Sequence, residues 1–136
     1  MGIPALPPEL QLSKATPAIL AAYRSFWERR GKPVPTVSRT AVWVVSDETL
    51  VIGVSVFSTE GPYLLVEGFA TNPDASPRLR HEATDLGLRH LAALGTIMGK
   101  TLVMIPGPSA KSVAKMASRL GFSVGRQTTP IYRHPS

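Results

Sequence analysis

The chain has 136 residues, 43% hydrophobic and 18% charged, enough for one buried core and too few for two, so residues 1–136 are expected to form a single domain. Lacking cysteine, it can hold neither a disulfide framework nor a thiolate metal site, and a reducing, cytoplasmic setting is expected. Fifteen Lys and Arg against nine Asp and Glu leave +6 and a pI near 10.2, an excess that attracts anions without choosing among nucleic acid, an acidic protein face and a polyphosphate.

Met1 to Pro8 is proline-rich and reads as a frayed or extended segment. No basic start leads into a long apolar run, and the most apolar internal stretch is broken by Gly95, Gly99 and Lys100, so a soluble, unprocessed chain with no membrane partner is expected. Leu6 stands where a myristoylation signal would need Ser or Thr. Glu9 to Lys14 alternates polar and apolar residues, the pattern of a short strand. Thr16-Pro17 is a cap followed by a proline, after which Ile19, Ala22, Tyr23, Phe26 and Trp27 recur at helical spacing until Gly31. A turn-rich linker, Pro33 to Thr40, leads to two β-branched runs, Ala41 to Val45 and Leu50 to Phe57, which form a hairpin across Ser46-Asp47-Glu48-Thr49.

Gly61-Pro62 turns into a third long strand, Tyr63 to Ala70. The next helix, capped by Ser76 with Pro77 at its first position, carries Leu79, Ala83, Leu86, His90, Leu94 and Ile97 as its apolar stripe. Lys100 to Ile105 is a strand ended by Pro106-Gly107-Pro108. Ser109 caps a last helix with Ala110, Val113, Met116, Ala117 and Leu120 inward and Gly121 at its close. Phe122 to Val124 and Pro130 to Arg133 complete the set. The order β-α-β-β-β-α-β-α-β-β predicts an α/β (α+β) fold: a mixed, mostly antiparallel twisted sheet of six to seven strands, flanked on both faces by three to four helices.

The most informative stretch runs from Leu64 to Leu94, where a strand holding a single carboxylate, Glu67, feeds a helix start across Thr71-Asn72-Pro73-Asp74-Ala75. Such a junction is an anion-binding arrangement: the amides of Leu79, Arg80 and His81 would point back toward the strand, with Arg78 and Arg80 adding charge. The same residues also describe an ordinary capped helix with solvated arginines. His81, His90 and His134 lack metal-ligand spacing, and no metal site is expected. Trp27 and Trp43 read as packing residues. There is no Walker loop, dinucleotide fingerprint or zinc pattern.

In this order, with Thr71-Asn72-Pro73 entering the Ser76 helix and Leu120-Gly121-Phe122 ending the last one, almost the whole chain resembles the GNAT superfamily of acyl-CoA-dependent N-acyltransferases. It also looks like the short, divergent GNAT-like proteins of tailed bacteriophages. The resemblance implies that Gly68 marks a bulge opening a wedge beside the strand, that the backbone of Phe69, Ala70 and Thr71 faces the thioester of acetyl-CoA, and that Asp74 to His81 forms the pyrophosphate loop through Ser76, Arg78, Leu79, Arg80 and His81. The family's loop is glycine-rich, whereas this one contains no glycine, so arginine side chains would replace lost amide contacts. The start of the last helix lies near the cofactor arm in the family, which brings in Ser109 and Lys111; the row Lys111, Lys115, Arg119 equally suits a solvated face.

Amine acylation needs a base, a polarised carbonyl and an acid for the departing thiolate. Glu67, flanked by Val66, Gly68 and Phe69, is the candidate base, its pKa expected to rise by partial desolvation; the alternative is a carboxylate on an open patch of sheet. Ala117 stands where family members often carry an acid tyrosine, leaving Tyr132 on the final strand, or Ser112, as substitutes. Two functions follow. One is an N-acetyltransferase acting on an amine of a protein, including a host protein, or of a small molecule. The other is a catalytically impaired GNAT-like module that engages a host protein or nucleic acid through its basic surface. The resemblance implies an acceptor groove built by the first helix, the segment after it and the final hairpin, where Arg29, Arg30 and Lys32 would select an acidic partner or keep the chain soluble, and a monomer or a homodimer paired through exposed strands is expected.

Overall fold

A computed structural model describes residues 10–104 and 111–124. Short-range signals set its element boundaries. Thr16 Oγ1 accepts a hydrogen bond from the Ile19 N–H at 3.2 Å, and Pro17 takes the first helical position, so α1 (Pro17–Arg29) starts right after β1 (Leu10–Ser13). Strands β2 (Val42–Ser46) and β3 (Thr49–Ser58) are joined by Asp47 and Glu48 alone, both at positive φ (48° and 64°). The expected four-residue connection is shorter because Ser46 and Thr49 pair with each other, which leaves a two-residue loop of the kind that needs positive φ twice.

Then come β4 (Tyr63–Thr71), α2 (Pro77–Met98), β5 (Thr101–Met104), α3 (Lys111–Arg119) and β6 (Ser123–Val124). The strands form one six-stranded sheet in chain order, antiparallel from β1 to β4 and parallel from β4 to β6. This is the expected mixed α/β architecture; the strand predicted at Pro130 to Arg133 and the extended start predicted at Met1 to Pro8 lie outside the described residues.

On one face, Val42, Val44, Ile52, Val54, Val56, Leu64 and Val66 pack against Leu88 and Leu91 of α2 and Val113 and Ala117 of α3. On the other, Ile19, Tyr23 and Phe26 of α1 meet Trp43, Val45, Leu50 and Ala70. Burying each large aliphatic side chain contributes about 1.5–3 kcal/mol, so the first, larger cluster holds most of the fold's stability.

The stripe predicted on α2 needs correction. His90 and Ile97 face solvent, Ile97 at 82% exposure, and the buried residues are Ala83, Thr84, Gly87, Leu88, Leu91 and Gly95. Small side chains let the helix axis come close to the sheet: a Cβ on Gly87 would lie 2.8 Å from Ile52 Cδ1. Thr84 is tolerated there because its hydroxyl donates to the Arg80 carbonyl at 2.7 Å. No helix among the described residues is long and apolar enough to cross a membrane.

Candidate functional site

Strand β4 begins as an ordinary partner of β3, with Val66 opposite Val56 and Glu67 opposite Ser55, and then gains a residue. Ala70 stands opposite Gly53, so Gly68 and Phe69 together answer the single residue Val54. Gly68 has φ +70°, the left-handed region that glycine enters without strain, and this is the β-bulge expected at that position. The extra residue changes which side chains go where. Leu64 and Val66 enter the α2-side core, but beyond the bulge it is Phe69 that packs there, while Ala70 joins the aromatic cluster under α1.

The bulge is held from the α1 side. Tyr23, 1% exposed, donates its phenolic hydrogen to the carbonyl of Gly68. The site has no room for a larger residue: a Cβ on Gly68 would lie 2.8 Å from Tyr23 Oη and 3.3 Å from Pro35 Cγ. The Tyr23 ring meets Trp43 edge to face at 5.2 Å, and both rings crowd Gly53, where a Cβ would approach Trp43 to 2.6 Å and Tyr23 to 2.8 Å. Burial pushes the Tyr23 phenol up to about 12; the Trp27 indole pulls against that rise, and the Glu67 carboxylate adds to it. Trp27 Nε1 is buried and completes no full hydrogen bond among the described residues.

Glu67 is half-buried on this same side, with Ser55 as its cross-strand partner. The linker after α1 straps across here. Ser55 Oγ accepts from the Ser38 N–H at 3.1 Å, Ser38 Oγ accepts from the Val56 N–H at 3.0 Å, and Thr40 Oγ1 donates to the Val56 carbonyl at 2.9 Å. These bonds satisfy the β3 backbone just past Val54, where its pairing with β2 ends.

Beyond Thr71 the chain turns on Asn72. Its N–H donates to the Val51 carbonyl at 2.7 Å, its side-chain amide to the Leu50 carbonyl at 3.0 Å, and its Oδ1 accepts from the Asp74 N–H at 2.9 Å. Ser76 then caps α2, its Oγ accepting from the Leu79 N–H at 3.1 Å, while the Arg80 N–H donates to the Ser76 carbonyl at 3.0 Å. The expectation of three free amides at Leu79, Arg80 and His81 is therefore narrowed. The cap and the first helical turns engage them, and Arg78 keeps the orphan N–H of the first turn. The side chain of Arg78 is exposed and pairs with Glu82 at 3.0 Å, whereas Arg80 is partly buried with Nε lacking any partner among the described residues.

Arg29 at the end of α1 grips Asp74 with two hydrogen bonds, 2.8 and 3.1 Å, holding the Asp74 carboxyl below its usual range. Next to it, the Arg30 guanidinium lies 5.9 Å from the Trp27 ring centroid and extends to Thr71 Oγ1. Arg29, considered from sequence as a selector of acidic partners, already has an acid of its own.

The structure thus gathers Glu67, Phe69, Ala70, Thr71, Ser76, Arg78, Leu79, Arg80 and His81 along one continuous path from the bulge to the first turn of α2. The Ala70 side chain is buried and Leu79 packs on the α2-side core, so these two can offer only backbone. Lys111 is the first residue of α3. Ser109 and Tyr132 lie outside the described residues. The parallel ladder with β5 spans Tyr63–Thr101 to Val66–Met104, and β4 continues from Glu67 to Thr71 past it; residues 105–110 lie outside the described residues. Sequence reasoning missed Tyr23 and Gly53 as site-forming residues. The one signal was a glycine set in the β-branched run of β3.

No known family model and no curated protein matches the chain. Among solved structures it is similar to a protein of unknown function from meticillin-resistant Staphylococcus aureus called a "Probable Acetyltransferase", with TM-score 0.62 and 13% identity over 93% of this chain and 100% of that one. It is similar too to a "Putative acetyltransferase" from Agrobacterium tumefaciens str. C58, with TM-score 0.58 and 12% identity over 92% and 99%. At that identity the likeness is one of fold, and the fold is GNAT-like.

The described wall has groups that attract an anion. It presents a helix N-terminus with one orphan amide, two arginines, one of them with a buried and unpartnered Nε, and a strand edge extending past its ladder. With Pro77 at the first position and the Leu79 amide engaged, anion contacts here fall to guanidinium groups more than to backbone.

Proposed function

We propose that this chain transfers an acetyl group from acetyl-CoA to an amine of a protein or small molecule. The observation that carries the reading is the bulge at Gly68, braced by Tyr23 and followed within a few residues by the capped start of α2. The GNAT-like fold of the two similar structures supports it. When bound, acetyl-CoA supplies the activated acyl group. Arg78 and Arg80 hold the pyrophosphate, with the α2 dipole behind them, and Ser76 and His81 border it. The backbone of Phe69 to Thr71 orients the acyl arm, and Ser109 and Lys111 flank it. Glu67 takes the proton from the acceptor ammonium, and Tyr132 is the proposed donor to the departing thiolate. Tyr23 is a positioning residue acting through the Gly68 carbonyl. The phage-like resemblance gains no support from these two neighbours, both bacterial.

Thermal unfolding with and without excess acetyl-CoA tests the reading, because a ligand that binds only the folded chain stabilises it by about 2.7 kcal/mol at a hundredfold excess over Kd. A flat response at millimolar acetyl-CoA would leave the alternative, a basic module that binds a protein or nucleic acid. The engaged first-turn amides and the Arg29–Asp74 clamp are the features that favour it. Where binding is seen, Glu67→Gln is expected to slow transfer by about 10²-fold or more while sparing cofactor affinity. Replacing Arg78 and Arg80 by alanine is expected to weaken that affinity instead.

A further inference from the structure

Away from the β4–α2 path, a cleft of about 480 Å³ opens between the β1–α1 connection and the strap that leads into β2. That volume is in the range of small-molecule sites. Its floor is apolar and fixed: Trp43 is 3% exposed, with its ring held edge to face by Tyr23, and Val37 and Leu20 continue the lining. Leu20 keeps 41% of its surface exposed at this edge.

The polar part of the lining is one-sided. Lys14 comes from the β1–α1 connection and Arg39 from the strap, and no Asp or Glu among the described residues lines the cleft. The ion pairs among the described residues, Arg29–Asp74, Arg78–Glu82 and Arg89–Asp85, involve neither cation. The wall needs no ligand to shape it, because Ser38 is already bonded through both its N–H and its Oγ to β3. Two cations that make no ion pair among the described residues, beside a rigid indole, form a recognition set for a molecule with one anionic end and an apolar body.

We propose that this cleft binds a small organic carboxylate whose aryl or short alkyl body lies over Trp43 and whose carboxylate is held by Lys14 and Arg39. The site is independent of the acetyl-CoA reading and stands or falls without it.

The test is an amide- and indole-detected NMR titration of the full chain with phenylacetate. Saturable shifts are expected at the Trp43 indole N–H and at the amides of Lys14 and Arg39. The uncharged 2-phenylethanol, and phenylacetate titrated into a Lys14→Gln, Arg39→Gln double variant, are each expected to bind about tenfold more weakly, a loss of about 1.4 kcal/mol. Both substituted side chains are exposed, and an otherwise unchanged spectrum shows that the variant is folded. Three results would overturn the proposal: no saturable shift at millimolar phenylacetate, equal affinity for the alcohol, or shifts centred on residues 69–80 instead of the cleft.

Discussion

Seen from the α2 side, the sheet is a surface of Val, Ile and Leu packed on a helix face made narrow by Ala83, Gly87 and Gly95. The α1 side is built from rings, glycines and hydrogen bonds: Tyr23 to the Gly68 carbonyl, Trp43 against Tyr23, Gly53 beneath both, and the Ser38–Ser55 strap alongside. The aliphatic side asks for volume, and many residue combinations supply it. The aromatic side asks for particular atoms at particular points, which ties the bulge to residue identity. Packing that tolerates exchange and bracing that depends on residue identity are thus assigned to opposite faces of one sheet.

That contrast can be broken most directly at Gly53. Gly53→Ala is expected to cost about 3 kcal/mol, read as a lower urea midpoint, because the added carbon meets two buried rings that cannot both withdraw. Tyr23→Phe comes next at about 2 kcal/mol, since the Gly68 carbonyl loses its donor. The phenol of Tyr23 is raised to about 12 in the folded chain from an ordinary value of 10, so its contribution is full below pH 10 and fades as pH climbs through about 12. Alkaline titration of wild type should show that loss, and the phenylalanine variant should lack it.

On the aliphatic side, Leu88→Met is expected to cost less than about 1.5 kcal/mol by the same urea measurement, the volume being nearly conserved. The smallest effect lies outside both faces. Glu48→Gly at the second positive-φ position of the β2–β3 turn should gain about 1 kcal/mol in thermal unfolding by removing a strained side chain from the left-handed region.

The element order was legible because its signals are local. Thr16-Pro17 and Ser76-Pro77 each announce a helix through cap chemistry that needs no tertiary partner, and Gly68 stands out in an apolar strand. The buried face of α2 was not legible in the same way. Periodicity weighted toward large apolar residues brings His90 and Ile97 onto a stripe that small residues occupy, since close approach to the sheet is decided by Ile52 and its neighbours. The pairing of Arg29 with Asp74 escaped for a related reason: the two are 45 residues apart in sequence, and no local pattern couples them. Tyr23 looked like one more member of an amphipathic stripe because its distinguishing contact is also long-range.

The extra residue at Gly68 also makes β4 two reading frames spliced together. Flattening the bulge with Gly68 still in the ladder would drive Ala70 toward the aliphatic core and bring Phe69 round to the rings under α1, inverting everything downstream while Leu64 and Val66 stayed put. One glycine thus sets the facing of everything from Phe69 to the Asn72 turn, while the half of the strand holding Leu64 and Val66 keeps its plain pairing with β3.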